Sequence, residues 1–175
     1  MASEKYYLTY DEIEEATRKL AKKISKRGFN PEKTLVVGIA RGGLMLAQYL
    51  AYAFDIRNVV AIESERYQGE EAQDIIEIRN VYMIDYDEYD TIIVCDDIYD
   101  EGITMDTVVT ILYETALAFK EKDIEIIPAV LVTQQKKKKM NQKFIEFGQK
   151  IKKINNKKPW IVFPWDTFMT REIVE

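Results

Sequence analysis

Four carboxylates crowd one short stretch of this chain, VCDDIYDEGIT at residues 94–104. The apolar run Thr91-Ile92-Ile93-Val94-Cys95 leads directly into Asp96, Asp97, Asp100 and Glu101, and Gly102, Ile103 and Thr104 follow. Carboxylates packed this closely repel one another unless something compensates them. At the end of a strand, a pair such as Asp96 and Asp97 can chelate a divalent cation, accept hydrogen bonds from vicinal hydroxyls, or stabilise a developing positive charge. Gly102 permits a tight turn, so the main-chain N–H groups of Asp100 to Thr104 and the Thr104 hydroxyl can wrap a phosphate where a helix begins. A phosphate cradle beside a diol-binding acidic pair describes a site for a sugar phosphate. The plainer reading is a capped turn. It accounts for one or two of the carboxylates but leaves the adjacent Asp96 and Asp97 uncompensated.

A second loop, GIARGG at residues 38–43, has the same strand-to-helix character. Its glycines let the backbone approach a ligand, and Arg41, between Ala40 and Gly42, offers a planar donor suited to phosphate oxygens. Such turns are also common as packing devices. No Gly-Lys-Ser/Thr follows, so this is not a Walker loop.

Composition narrows the chemistry. The 175 residues include no histidine and one cysteine, Cys95. Histidine triads, His-ligated zinc and internal disulfides are thereby excluded. What remains is carboxylate, lysine, arginine, tyrosine, main-chain N–H and hard-metal chemistry. Cys95 reads as a small buried hydrophobe, because neighbouring carboxylates suppress its thiolate. A lone cysteine suits a reducing cytoplasm. The net charge of −5 argues against nucleic-acid binding. Against that trend stands the run Lys136-Lys137-Lys138-Lys139, read as a solvated face, with an anion-attracting rim as the sharper alternative. No apolar run is long enough to span a bilayer, and MASEKYYLTYDE lacks the apolar core of a secretory signal.

Elements must position the two loops. Thr9 and Glu12 form a capping-box pattern ahead of Ile13, Ala16, Leu20 and Ile24 at helical spacing, with Gly28 as the stop. Strands are predicted at Thr34–Ile39, Asn58–Ile62, Thr91–Cys95, Ile124–Thr133 and Trp160–Phe163, and helices at Leu44–Phe54 and Met105–Lys120. A weaker helical pattern covers Gln142–Lys153. Residues 63–90 are less regular, with two short β-like runs. Strands alternating with helices predict an α/β fold, a mostly parallel sheet flanked by helices, as one domain over residues 1–175. Ligands bind such sheets at the carboxyl ends of the strands, where both loops fall.

At this point the chain resembles a known family. VCDDIYDEGIT is similar to the phosphoribosyl-diphosphate signature of the type I phosphoribosyltransferases, and GIARGG to their pyrophosphate loop. PWIVFPWD at residues 159–166 resembles the ending of xanthine–guanine phosphoribosyltransferases. The resemblance implies transfer of phosphoribosyl from 5-phosphoribosyl 1-diphosphate to a purine, with guanine, xanthine or hypoxanthine favoured, release of pyrophosphate, and a Mg2+ cofactor on Asp96 and Asp97. It implies ribose contacts from Asp96 and Asp97, and a 5-phosphate cradle from Asp100, Glu101, Gly102, Ile103 and Thr104. Ala40, Arg41 and Gly42 would hold pyrophosphate, and Asp100 would sit near the base and handle its proton. Trp160 would stack on the base while the Ile161 main chain reads its edge. A mobile lid at 63–90 with Tyr67 as a contact, a base-binding hood at 134–166 and a homo-oligomer complete the implied picture. Two departures stand out: Glu101 replaces the family's Thr or Ser, and Gln134 replaces a lysine that reads the purine 6-oxo group. A non-catalytic regulator sensing phosphoribosyl diphosphate or nucleotides is the alternative. Only about thirty residues precede the first core strand, too few for a winged-helix domain of ordinary size.

Overall fold

The computed structural model describes residues 4–68, 74–119, 123–134, 145–155 and 157–169. Along the chain run β1 (Lys5–Tyr7), α1 (Tyr10–Ile24), β2 (Thr34–Ala40), α2 (Gly43–Phe54), β3 (Val59–Gln68) and β4 (Asp74–Arg79). Then come β5 (Thr91–Tyr99), α3 (Ile103–Phe119), β6 (Glu125–Thr133), β7 (Glu146–Lys150) and β8 (Trp160–Val162). Six strands form one sheet in the order β4-β3-β2-β5-β6-β7, parallel throughout except for β4, which is antiparallel to β3.

The central strands are apolar without interruption because both faces are covered. Val36, Ile93, Cys95 and Ala129 pack with α1 and α2 on one face; Leu35, Val37, Ile92, Val94 and Val130 pack with α3 on the other. The expected capping box is present: Thr9 Oγ1 accepts from the Glu12 N–H at 3.2 Å, and the Glu12 carboxylate accepts from the Thr9 N–H at 2.9 Å. Gly28 takes the left-handed conformation, φ 73°, after a short 3-10 turn at Ser25–Arg27.

The helical pattern at Gln142–Lys153 is not a helix where it is described. Glu146–Lys150 is β7, paired in parallel with β6. Tertiary contacts decide against the weak helical propensity. A Cβ at position 148 would overlap the Ala16 carbonyl, so Gly148 lets the strand lie against α1. Lys23 clamps the same strand, its Nζ donating to the Phe147 carbonyl at 2.6 Å and lying 4.4 Å from the Phe147 ring centroid.

The two β-like runs of residues 63–90 are the outer half of β3 and β4, a hairpin tied by Arg79 to Glu63, Glu65 and Glu77. The Tyr67 side chain and the Lys136–Lys139 run lie outside the described residues. A separate two-stranded ribbon pairs β1 with β8 in parallel, Lys5 opposite Trp160 and Tyr7 opposite Val162.

Candidate functional site

The two loops meet where the sheet divides. β2 and β5 pair as far as Gly38 opposite Cys95, beyond which β2 continues with β3 and β5 with β6. The helix after β2 covers one face and the helix after β5 the other. This is the topological switch point at which open α/β sheets leave a crevice.

Close approach of α2 to β5 explains the paired glycines. A Cβ on Gly42 would overlap the Asp97 carboxylate, and one on Gly43 the Cys95 carbonyl. The Ala40–Arg41 peptide is cis. Arg41 and Asp97 line one cavity of about 810 Å³, with Glu63, Glu65, Trp165 and Asp166 on its other walls.

Successive strand residues point to opposite faces, and this separates the acidic pair. Asp97 faces the Arg41 cavity, whereas Asp96 lines a smaller one of about 180 Å³ walled by residues 98–105. Burial pushes the Asp96 carboxyl well above the usual range, and the charge of Asp97 adds to this. Burial, then the charge of Asp166, pushes Asp97 up to about 6. The Asp97 N–H donates to Asp96 Oδ1 at 2.9 Å.

The smaller cavity is the turn between β5 and α3. Gly102 has φ 88°, and a Cβ there would overlap the Tyr99 hydroxyl. Tyr99 is buried, and its hydroxyl donates to the Asp106 carboxylate at 3.3 Å. The Asp106 N–H donates to the Gly102 carbonyl at 2.9 Å and starts the helix. Asp100, Glu101, Ile103 and Thr104 complete the wall.

The remaining expected residues come from the C-terminal segment. Gln134 Nε2 donates to the Pro159 carbonyl at 2.8 Å, so one of its two amide hydrogens holds the segment that carries Trp160. Trp160 is 66% exposed, whereas Ile161 is buried. Lys158 forms an ion pair with Asp100.

Sequence reasoning missed five residues that the fold brings here. Tyr99 and Asp106 carry no signal, since a strand tyrosine and a helix aspartate are ordinary. Lys158 is hidden in a lysine-rich stretch. Trp165 and Asp166 stand in the quoted ending without a role. Trp165 stacks on Phe163, centroids 4.9 Å apart, and its buried indole N–H has no hydrogen-bond partner among the described residues.

Among the described residues no cluster of three or more carboxylate or thiolate side chains forms a metal cage. Asp96 and Asp97 face different cavities, so each offers a single hard carboxylate, and Mg2+ commonly binds through one or two protein carboxylates plus substrate oxygens and water. No described helix is long and apolar enough to cross a membrane.

Comparison with known proteins agrees with this geometry. The family model described as phosphoribosyl transferase domain matches residues 7–170. The xanthine-guanine phosphoribosyltransferase of Cereibacter sphaeroides is 26% identical over 162 residues, 92% of this chain and 86% of its own. Two solved structures share the fold. A hypothetical protein from Neisseria gonorrhoeae with bound ppGpp has a TM-score of 0.70 at 23% identity, covering 98% of this chain and 94% of its own. The Helicobacter pylori xanthine-guanine-hypoxanthine phosphoribosyltransferase has a TM-score of 0.69 at 22% identity, covering 98% and 99%.

Proposed function

Because the chain belongs to the phosphoribosyl transferase domain family, we propose that it joins a purine base to the C1′ of 5-phosphoribosyl 1-diphosphate and releases pyrophosphate. The favoured bases are guanine, xanthine and hypoxanthine, and the role is purine salvage. One observation carries the reading: Asp97 lies directly beneath the Gly42 loop, while Asp96 faces the Gly102 turn. Each acid therefore adjoins one of two anion-binding loops, and a sugar phosphorylated at two positions bridges them.

In this reading Arg41 and the main-chain N–H groups of the Ala40-Arg41-Gly42 loop hold the leaving pyrophosphate. The N–H groups of Glu101, Gly102, Ile103 and Thr104 hold the 5-phosphate. Asp96 and Asp97 accept hydrogen bonds from the ribose hydroxyls and favour the positive charge that develops on the sugar ring. Asp96 and Asp97 would each offer a carboxylate to Mg2+ in its own cavity, and the ion, when bound, would neutralise charge on the diphosphate. Asp100 adjoins the base and takes its proton, Trp160 covers the base, and the Ile161 main chain reads its edge.

The β3–β4 hairpin serves as a lid that excludes water from the reactive sugar cation. Residues 134–166 serve as the hood of a single domain. A homo-oligomer in the cytoplasm belongs to the same reading, supported by exposed apolar side chains such as Tyr52 and Met83 and by the buried lone thiol of Cys95.

The test is a panel of guanine, xanthine, hypoxanthine, adenine and uracil with phosphoribosyl diphosphate and magnesium, followed by pyrophosphate release. Turnover is expected with 6-oxopurines ahead of adenine. Absence of turnover with every purine, from folded protein, overturns the enzyme and leaves a sensor of the same ligands. Arg41→Ala should weaken binding of the diphosphate substrate by roughly tenfold to a hundredfold, the worth of a charge-assisted hydrogen bond. Binding of a product mononucleotide, which lacks pyrophosphate, should change little. Equal weakening of both would make Arg41 a structural residue.

A further inference from the structure

β8, which carries Trp160 and Ile161, lies outside the six-stranded sheet and has β1 as its strand partner. Two short strands do not hold a geometry by themselves in water. The place of this ribbon therefore depends on what fastens it to the rest of the fold. Main-chain bonds decide which side it offers. The Trp160 N–H donates to the Glu4 carbonyl at 2.7 Å, and the Leu8 N–H donates to the Val162 carbonyl at 2.9 Å. β1 thus engages residues 160 and 162, and the N–H and C=O of Ile161, between them, face away from β1.

Tyr6 stands directly opposite Ile161 in this register. Its hydroxyl donates to Glu12 Oε1 at 2.8 Å. The other oxygen, Oε2, accepts from the Thr9 N–H at 2.9 Å and from the Thr9 hydroxyl at 3.1 Å. The bond from the Thr9 N–H, with the one from Tyr6 behind it, holds the Glu12 carboxyl below the usual carboxylate range. The acceptor that faces Tyr6 is therefore charged at neutral pH, and such hydrogen bonds are the strong ones. Glu12 lies in the first turn of α1, which is itself fixed on the sheet where Gly148 lies against Ala16 and Lys23 donates to the Phe147 carbonyl. The Gln149 side chain on β7 also reaches the Tyr6 hydroxyl. Leu8, Ile161 and Phe163 bury their side chains with Ile13 and Ala16 of α1. That apolar contact supplies adhesion without direction. The Tyr6 hydroxyl supplies the direction.

We propose that Tyr6 is a positioning residue for the base: held by Glu12, it sets β1, and through β1 the Ile161 main chain and Trp160, at the height at which they meet a purine. This rests on the transferase reading above and adds the N-terminal strand to the parts that the site needs.

The experiment compares wild type with Tyr6→Phe, which keeps the ring and loses the hydroxyl, and with Thr9→Ala, which weakens the α1 cap and leaves the Tyr6–Glu12 bond in place. Steady-state kinetics give KM for guanine and for phosphoribosyl diphosphate. Calorimetry gives Kd for guanosine monophosphate and for ribose 5-phosphate, which has no base. Tyr6→Phe should raise KM for guanine and Kd for guanosine monophosphate by roughly tenfold, within the worth of one hydrogen bond to a charged group. KM for phosphoribosyl diphosphate and Kd for ribose 5-phosphate should stay within about threefold. Thr9→Ala should lower the melting temperature and leave both base-dependent quantities level. No change in Tyr6→Phe, an equal rise with and without the base, or the same base-specific rise in Thr9→Ala overturns the proposal while the transferase reading stands. If no base turns over in wild type, the transferase reading falls, and the two dissociation constants still decide Tyr6. Wild type that binds guanosine monophosphate no more tightly than ribose 5-phosphate overturns the proposal as well.

Discussion

Replacing Asp96 and Asp97 together by asparagine should abolish phosphoribosyl transfer and, at the same time, make the folded protein harder to melt. The activity loss follows from removing both negative charges from the place where the sugar becomes positive, and should reach at least about 10²–10³-fold. The gain in stability follows from burial. Burial raises the carboxyls of Asp96 and Asp97, the latter to about 6, whereas an unfolded aspartate titrates near 4. Between those values the native state holds protons that the unfolded chain has released, so stability falls as pH rises through the window, and above it the full penalty is present. Asparagine is neutral at every pH and removes the penalty, which for Asp97 alone is about 3 kcal/mol at most. At pH 7.5 in magnesium-free buffer the double variant should melt roughly 5–10 °C higher, at 2–4 °C per kcal/mol for a chain of this size. Near pH 4 the difference should vanish. Added magnesium should raise the melting temperature of wild type and not of the variant, since a ligand stabilises only the state that binds it. A variant that melts lower than wild type at pH 7.5 would mean that the two carboxylates hold the fold together.

Gly102→Val should damage binding of phosphoribosyl diphosphate by roughly a hundredfold, or nearly 3 kcal/mol. Two causes act together. Gly102 has φ 88°, a conformation that a β-branched residue resists at a cost of about 1–3 kcal/mol. Its new Cβ would also strike the Tyr99 hydroxyl and disturb the bond from Tyr99 to Asp106 beneath the turn. Glu101→Thr should behave in the opposite way. Glu101 is exposed, and removing its charge from the rim of a phosphate cradle should leave affinity level or raise it by up to about tenfold for each 1.4 kcal/mol of repulsion relieved. Calorimetric titration at fixed magnesium and salt distinguishes the two. If Glu101→Thr abolished binding and Gly102→Val changed nothing, the cradle would be wrong and Glu101 would be a ligand for metal or ribose.

The central half of the fold was legible because its residues answer to local rules. Thr34–Ile39 and Thr91–Cys95 are apolar on both faces, and strands buried on both faces read that way. Thr9 and Glu12 satisfy helix N–H groups within one turn. The acidic pair and the glycine loops were visible as chemistry, since few other reasons put such residues at strand ends. What stayed hidden depends on contacts between distant segments. β7 is a strand because Gly148 meets Ala16 and Phe147 meets Lys23, partners that no window around residue 148 contains. Tyr99, Asp106 and Lys158 gain their places from the turn and from the pinned C-terminal segment. The separation of Asp96 and Asp97 onto two faces was implicit in strand geometry, yet its meaning required knowing that the faces lead to different cavities.

The pairing of β1 with β8 has a consequence for how the molecule is made. Lys5 leaves the ribosome well before its partner Trp160. At roughly 5–20 residues per second, about ten to thirty seconds separate the two. During that interval β2 and β5 are synthesised before Trp160, so the nascent chain can pair its central strands before the β1–β8 ribbon exists. Closing so long a loop is also slow relative to local pairing. Residues 5–7 therefore stay without their β8 partner until residues 160–162 emerge.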